Sequence, residues 1–247
     1  MDPVKQPKLE DNLVNWNKIG RYSQWMFNLF APYVGKRVID IGVGVGNMMQ
    51  FYIEKAELAI GTDIFDTQLD MVEQRFKHIV SRGGGQLVTQ TLDIEQDSID
   101  DLKKYSLDTV ICINVLEHIA DDLKALSNMK NMIVSGGKII LLVPAHSRLY
   151  NYMDKNAGHH RRYDRGQLVS LAKKLDLEIL KSRYFNIFGI IPYVLKGKFG
   201  KKESGTFSST LGETDFRLYN IASVILEPFE KVIKVPFGLS ELIVLKK

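Results

Sequence analysis

The sequence holds one cysteine in 247 residues, Cys112, so no internal disulfide can form and nothing points to an oxidising compartment. Set in the apolar run before Asn114, it reads as a core thiol. An excess of one charge is also missing. The 33 lysines and arginines against 29 aspartates and glutamates leave a net +4, too little to argue for nucleic acid. Long hydrophobic runs are absent too: residues 139–145 and 187–195 are the longest and fall well short of the roughly 20 a bilayer requires. Residues 1–11 are polar and carry no apolar stretch of the secretory type, which points to a cytoplasmic protein. No internal repeat is found.

What is present suits one large α/β domain with a substantial core, at 45% hydrophobic content. Strand-like and helix-like stretches alternate between about 36 and 145, the pattern of a parallel sheet covered by helices on both faces. Strands are expected near 36–41, 57–63, 86–92, 107–113 and 137–143. Helices are expected near 46–54, 67–81, 98–104 and 119–133, with Gly136-Gly137 ending the last. A polar loop rich in histidine, arginine and tyrosine follows from Ala145 to Arg165, then a helix at 166–175 and strands near 177–184 and 239–246. Two segments stand outside this alternation. Residues 1–35, with an aromatic cluster from Trp16 to Tyr33, are expected to form a helical cap. Residues 185–235 form an insertion before the closing strand at 236–247, and its serine, threonine and glycine-rich part, 203–213, reads as a mobile loop.

The most informative stretch runs from Val38 to Asn47, VIDIGVGVGN. It reads as a buried strand that ends in an acidic residue and breaks into a glycine turn. Glycines 42, 44 and 46 permit positive φ and leave no Cβ between the chain and a ligand. A helix from about Asn47 would point its free N–H groups at that ligand. The spacing is G-x-G-x-G rather than the dinucleotide G-x-G-x-x-G, so a ligand without phosphates fits better. The ammonium and carboxylate of S-adenosylmethionine could be met there by Asp40, directly or through water, and by backbone amides.

Ligands of a doubly wound sheet bind beyond the carboxyl ends of its strands, which selects the residues just past each one. Asp63, 21 residues after Gly42, can accept from both hydroxyls of a ribose, with Ile64 beside it. Asp93 can take the exocyclic amine of an adenine while Ile94 covers the ring; a helix cap is the alternative for Asp93. The fourth strand ends in Asn114-Val115-Leu116-Glu117-His118.

The segments D-I-G-x-G-x-G, T-D, L-D-I and N-V-L-E-H, in this order and spacing, resemble the class I S-adenosylmethionine-dependent methyltransferases. The resemblance covers roughly 36–184 and the C-terminal strand. It implies a Rossmann-like, doubly wound, seven-stranded sheet with its last strand antiparallel. It also implies that Asp40, Gly42, Gly44 and Gly46 surround the methionine part of the cofactor, Asp63 the ribose, Asp93 and Ile94 the adenine, and Asn114, Val115 and Leu116 the wall beside the methyl group. Pro144 to Tyr150, Asp154 and Gly158 to Tyr163 are similar to bacterial methyltransferases, alone or joined to glycosyltransferase domains, that carry a G-H-x-R-R-Y motif after the fifth strand. The N-terminal aromatic segment then reads as core packing or as a lid in which Tyr22 or Trp25 covers the cofactor and Arg21 reaches its carboxylate.

Methyl transfer asks a protein mainly for alignment and exclusion of water. A hydroxyl acceptor also needs a base, for which histidine is the natural candidate. Of five histidines, His118, His146, His159 and His160 fall at strand ends facing the cofactor, and His78 does not. His159 is the preferred base, because it lies in the loop beside two arginines; His146 and His118 are the other candidates. Arg161 and Arg162 can hold an acceptor's carboxylate or phosphate, with Tyr163 and Tyr150 beside them. Salt bridges to Asp154, Asp164 or another loop acid are the alternative for the arginines. Residues 187–202 read as an acceptor cap, or as an interfacial surface for a lipid-linked acceptor. No metal ligand set is expected.

The expected activity is methylation of a small molecule, most readily at oxygen: a sugar, a lipid-linked intermediate or a secondary metabolite. The competing readings are a non-catalytic S-adenosylmethionine-binding subunit or sensor and an NAD-dependent oxidoreductase. Neither the acceptor's identity nor an oligomeric state is legible in these motifs.

Overall fold

In a computed structural model, described for residues 20–82, 85–199, 220–221, 223–224, 227–228 and 235–247, seven strands form one sheet. They are β1 (Arg37–Ile41), β2 (Leu58–Asp63), β3 (Gln86–Thr91), β4 (Leu107–Ile113), β5 (Ile133–Pro144), β6 (Glu178–Phe185) and β7 (Ser240–Lys246), in the order β3-β2-β1-β4-β5-β7-β6. Pairing is parallel from β3 to β5, and β7 runs antiparallel to both of its neighbours. The expected Rossmann-like sheet with an antiparallel last strand is therefore present. Its order reverses between β1 and β4, which opens a crevice at the carboxyl ends of those strands.

The central strands are buried on both faces, which is why β1 and β2 carry apolar residues at successive positions, Val38-Ile39 and Leu58-Ala59-Ile60. Their alternation divides two cores. Ile39 and Ile41 pack with α4 (Asp122–Met132) and α6 (Arg165–Lys174) on one face. Val38 and Ile111 pack with α1 (Gly20–Asn28) and α2 (Asp66–Ser81) on the other. Asp40 shares the parity of Val38 and points into this second face. Edge strand β6 carries Lys181 and Arg183, a composition that discourages pairing with another chain.

Four local expectations need correction. Residues 46–54 form turns and one 3-10 turn, Met49–Phe51, rather than an α-helix. Bonds such as Gln50 N to Gly46 O (3.2 Å) mix with i→i−3 bonds such as Phe51 N to Met48 O (3.1 Å), and the run Phe51-Tyr52-Ile53 has weak helix preference. Gly136 and Gly137 do not end a helix: α4 stops at Met132, and both glycines lie where residues 134–137 loop out at the irregular start of β5. The helix expected over 119–133 is present but starts later: a 3-10 turn, Leu116–His118, precedes it, and α4 begins at Asp122, where Asp121 caps it by accepting from Lys124 N at 2.9 Å. The stretch 145–165 contains α5 (Tyr152–Ala157), too short to show a period, although Asn151 and Asp154 cap it reciprocally.

Two further helices are α3 (Asp100–Lys103), which is shorter than the helix expected at 98–104, and α7 (Ile190–Phe199) in the insertion. α1 buries Tyr22, Trp25, Met26 and Phe27 against one face of the sheet, with Phe185. Trp16 and the stretch 203–213 lie outside the described residues. Among the described residues, no helix is long and apolar enough to cross a membrane.

Candidate functional site

At the crevice, glycines 42, 44 and 46 adopt φ of +69°, +54° and +79°, the left-handed turn that their residue type permits. A Cβ on Gly42 would stand 2.4 Å from Val115 Cγ2, so β1 and the segment after β4 meet closely there. Gly44 N donates to Asp63 Oδ2 at 3.0 Å, and Phe65 N to Oδ1 at 3.2 Å. The Gln68 amide, with its nitrogen turned toward Asp63, donates to both oxygens. Asp63 is therefore held in one orientation at the end of β2, and burial raises its pKa.

Asp40 lies buried beneath the turn, with the Tyr52 hydroxyl donating to Oδ2 at 3.2 Å. Burial pushes its carboxyl up to about 7. Ile64, just past Asp63, is 57% exposed, an apolar side chain left open at the crevice. Asp93 Oδ1 accepts from Glu95 N at 2.9 Å and Gln96 N at 3.3 Å, the capping geometry weighed for it. Ile94 and Leu116 are buried in the core and back this wall rather than form its surface. Asn114 (φ +54°) and Val115 make the turn out of β4.

A second cluster is built by the segment after β5. Asp154 is its node: His159 Nδ1 lies 3.0 Å from Oδ1, Arg162 Nε donates to the same oxygen at 2.8 Å, and the Tyr193 hydroxyl of α7 donates to Oδ2 at 2.5 Å. Burial opposes the charge on Asp154, but these donors prevail and hold it down at about 2. Nε2 of His159 faces Glu117, 4.0 Å from Oε1. Glu117 is fully buried, and among the described residues neither of its oxygens meets a hydrogen-bond donor from another residue. Burial pushes this carboxyl up to about 7. The His118 and His159 rings meet edge to face at 4.7 Å.

Several expected roles change. Arg162 is 4% exposed and spent on Asp154 and the Ala145 carbonyl, so its guanidinium is not presented to an acceptor, while Arg161 pairs with Asp122 at 2.9 Å and keeps part of its side chain at the surface. Tyr163 is 1% exposed and donates to Leu116 O and Asp122 Oδ2. Tyr150 stays open to solvent, with its hydroxyl on His159 O at 2.8 Å. Arg21 reaches Glu227 at 3.9 Å rather than the crevice. Tyr22 is buried beside Phe185 and Trp25 and accepts from Asn186 Nδ2 at 3.1 Å, the packing role rather than a lid. His146 takes φ +64° and stacks on Tyr184, its buried Nε2 without a hydrogen bond among the described residues.

Reading the sequence missed Tyr52, Gln68, Tyr193 and the role of Glu117. Only Glu117 carried a signal, as a carboxylate among the apolar residues after β4. Tyr52 and Tyr193 reach their partners from other segments, and Gln68 reaches Asp63 from the first turns of α2.

Residues 20–182 match the model of a methyltransferase domain. A ubiquinone biosynthesis O-methyltransferase from Idiomarina loihiensis is 25% identical over 175 residues, covering 66% of this chain and 68% of that protein. A tRNA U34 carboxymethyltransferase from Photorhabdus laumondii is 29% identical over 124 residues, 48% of this chain and 36% of that protein. The chain spans less than half the length of several other curated relatives that it matches. An S-adenosylmethionine-dependent methyltransferase structure from Archaeoglobus fulgidus shares the fold at a TM-score of 0.54 and 21% identity, covering 90% of this chain and 91% of that one.

Proposed function

This chain belongs to the methyltransferase domain family, and from that premise we propose that it methylates a hydroxyl oxygen of a small molecule. It is an S-adenosylmethionine-dependent methyltransferase, and S-adenosylmethionine is its cofactor. The cofactor supplies a methyl carbon activated by its sulfonium; the chain has to bind, align and move one proton.

The residues of the crevice fit this group. Asp63, aimed by the Gly44 and Phe65 amides, holds the ribose hydroxyls. The turn through glycines 42, 44 and 46, which has no room for a Cβ at Gly42, admits the methionine part. Asp40 meets the ammonium, Asp93 and the exposed Ile64 serve the adenine, and Asn114 and Val115 border the methyl group.

The observation that carries the acceptor reading is the pair of Asp154 and His159. A carboxylate held ionised at 3.0 Å fixes Nδ1 as the protonated nitrogen, so Nε2 presents its lone pair and can take a hydroxyl proton as the methyl carbon is attacked. Gly158 to Tyr163 and the segment from Pro144 also support membership of the bacterial group with the G-H-x-R-R-Y motif.

Isothermal titration of the purified protein with S-adenosylhomocysteine, beside NADH, tests the cofactor assignment. Micromolar binding of the former alone is expected, and Asp63→Ala should weaken it by roughly 1–3 kcal/mol. Unchanged affinity in Asp63→Ala would refute the ribose assignment. His159→Ala should keep that binding and lose turnover with labelled methyl donor and a screen of hydroxylated acceptors.

A further inference from the structure

We infer that Glu117, His118 and His159 form a binding site for one divalent transition-metal ion beside the acceptor. The donor atoms, one carboxylate oxygen and one nitrogen from each histidine, all lie within 4.8 Å of one another. The fold brings them together from two places. Glu117 and His118 leave the 3-10 turn after β4, and Gly158, at φ +84°, ends α5 and turns His159 back over them.

Two further observations point to a cation. A carboxylate with no exposure and, among the described residues, no donor from another residue is disfavoured in a protein interior, whereas a cation would meet both its charge and its lone pairs. Second, His159 is already oriented as a ligand. Its Nδ1 is taken by Asp154 and its Nε2 faces Glu117, the carboxylate–histidine arrangement that fixes the tautomer and raises the basicity of a metal-binding imidazole. Two nitrogens and one oxygen suit zinc, manganese, iron or cobalt better than magnesium or calcium, which prefer all-oxygen sets.

Three protein ligands leave coordination positions open for an acceptor oxygen. This inference deepens the hydroxyl-acceptor reading and rests on it only for the ion's role. With an ion bound, Glu117, His118 and Nε2 of His159 would hold it, so His159 would act as a ligand in place of its role as base, and the ion would supply Lewis acidity that lowers the pKa of an acceptor hydroxyl beside it.

The test uses metal alone. Chelator-stripped full-length protein is titrated with Co2+ and followed by its visible absorption and by calorimetry, with Zn2+ in competition. One Co2+ per chain is expected, with a spectrum of mixed nitrogen and oxygen ligation that Zn2+ abolishes. Glu117→Gln and His118→Ala should each weaken binding by more than the 10–100-fold typical of losing an outer partner of a ligand. S-adenosylhomocysteine titration of the same variants checks that they are folded. His118→Asn replaces His118→Ala if the latter fails this check. Unchanged Co2+ affinity in both folded variants, or no binding to the native chain, would overturn the site. Neither result touches the cofactor assignment, which S-adenosylhomocysteine tests by itself.

Discussion

Arg162 Nε donates to Asp154 Oδ1 at 2.8 Å, and both side chains are buried. The guanidinium also lies 4.2 Å from the centre of the Tyr193 ring, so the pair ties the loop after β5 to α7 of the insertion. Removing one partner of a buried pair leaves the other charge uncompensated. Arg162→Ala should therefore cost on the order of 3–5 kcal/mol in urea unfolding at neutral pH. The loss should change little with salt, because buried pairs are poorly screened. A cost below about 1 kcal/mol, the range of surface pairs, would place the pair at the solvent.

Tyr22 separates packing from lid. In the structure its ring lies 5.4 Å from Phe185, and its hydroxyl accepts from Asn186. Tyr22→Phe keeps the ring contacts and loses that bond, so it should lower stability by about 1 kcal/mol and leave S-adenosylhomocysteine affinity unchanged. A drop in affinity without a drop in stability would restore the lid.

The sheet was legible because β1 and β2 are buried on both faces, which leaves successive apolar residues in each strand shortly before Gly42 and Asp63. The glycine turn was legible for a related reason: its left-handed backbone selects one residue type. The segment after β5 was not. The partners of Asp154 come from positions 151, 159, 162 and 193, and no local period brings 154 to 193. The arginines read as acceptor contacts because a sequence shows their charge and not the acids that spend it. Residues 46–54 read as helix because apolar spacing does not distinguish an α-helix from a buried run of turns.

Gly42 combines two demands that can be separated. Gly42→Ala places a methyl 2.4 Å from Val115 Cγ2 and an L-residue at φ +69°. The clash should cost roughly 1–3 kcal/mol and the backbone about 1–2 kcal/mol. Val115→Ala in the same chain removes the clash and leaves the backbone cost, so the double variant should recover part of the loss. Chemical denaturation of the four chains measures both. Full recovery would mean that the left-handed turn is not required.

Asp40 sets a pH dependence with a definite sign. Its carboxyl is raised by burial to about 7, against 3.8 when unfolded; the Tyr52 hydroxyl lowers it and the Asp63 charge adds a smaller rise. Between about pH 4 and 7 the folded chain therefore keeps a proton that the unfolded chain has released. By linkage, this group's contribution to stability falls as pH rises through that window and is level above it. Asp40→Asn should remove the slope, so the variant and native melting temperatures should diverge toward pH 7; parallel curves would show that Asp40 is not buried in solution. The cofactor adds a second, opposite trend. If its ammonium sits beside Asp40 it favours the ionised carboxylate, so S-adenosylhomocysteine should bind more tightly as pH rises toward 7 and release a proton on binding below it. Calorimetry in buffers of different ionisation enthalpy counts that proton, and a count of zero at pH 6 would move the ammonium away from Asp40.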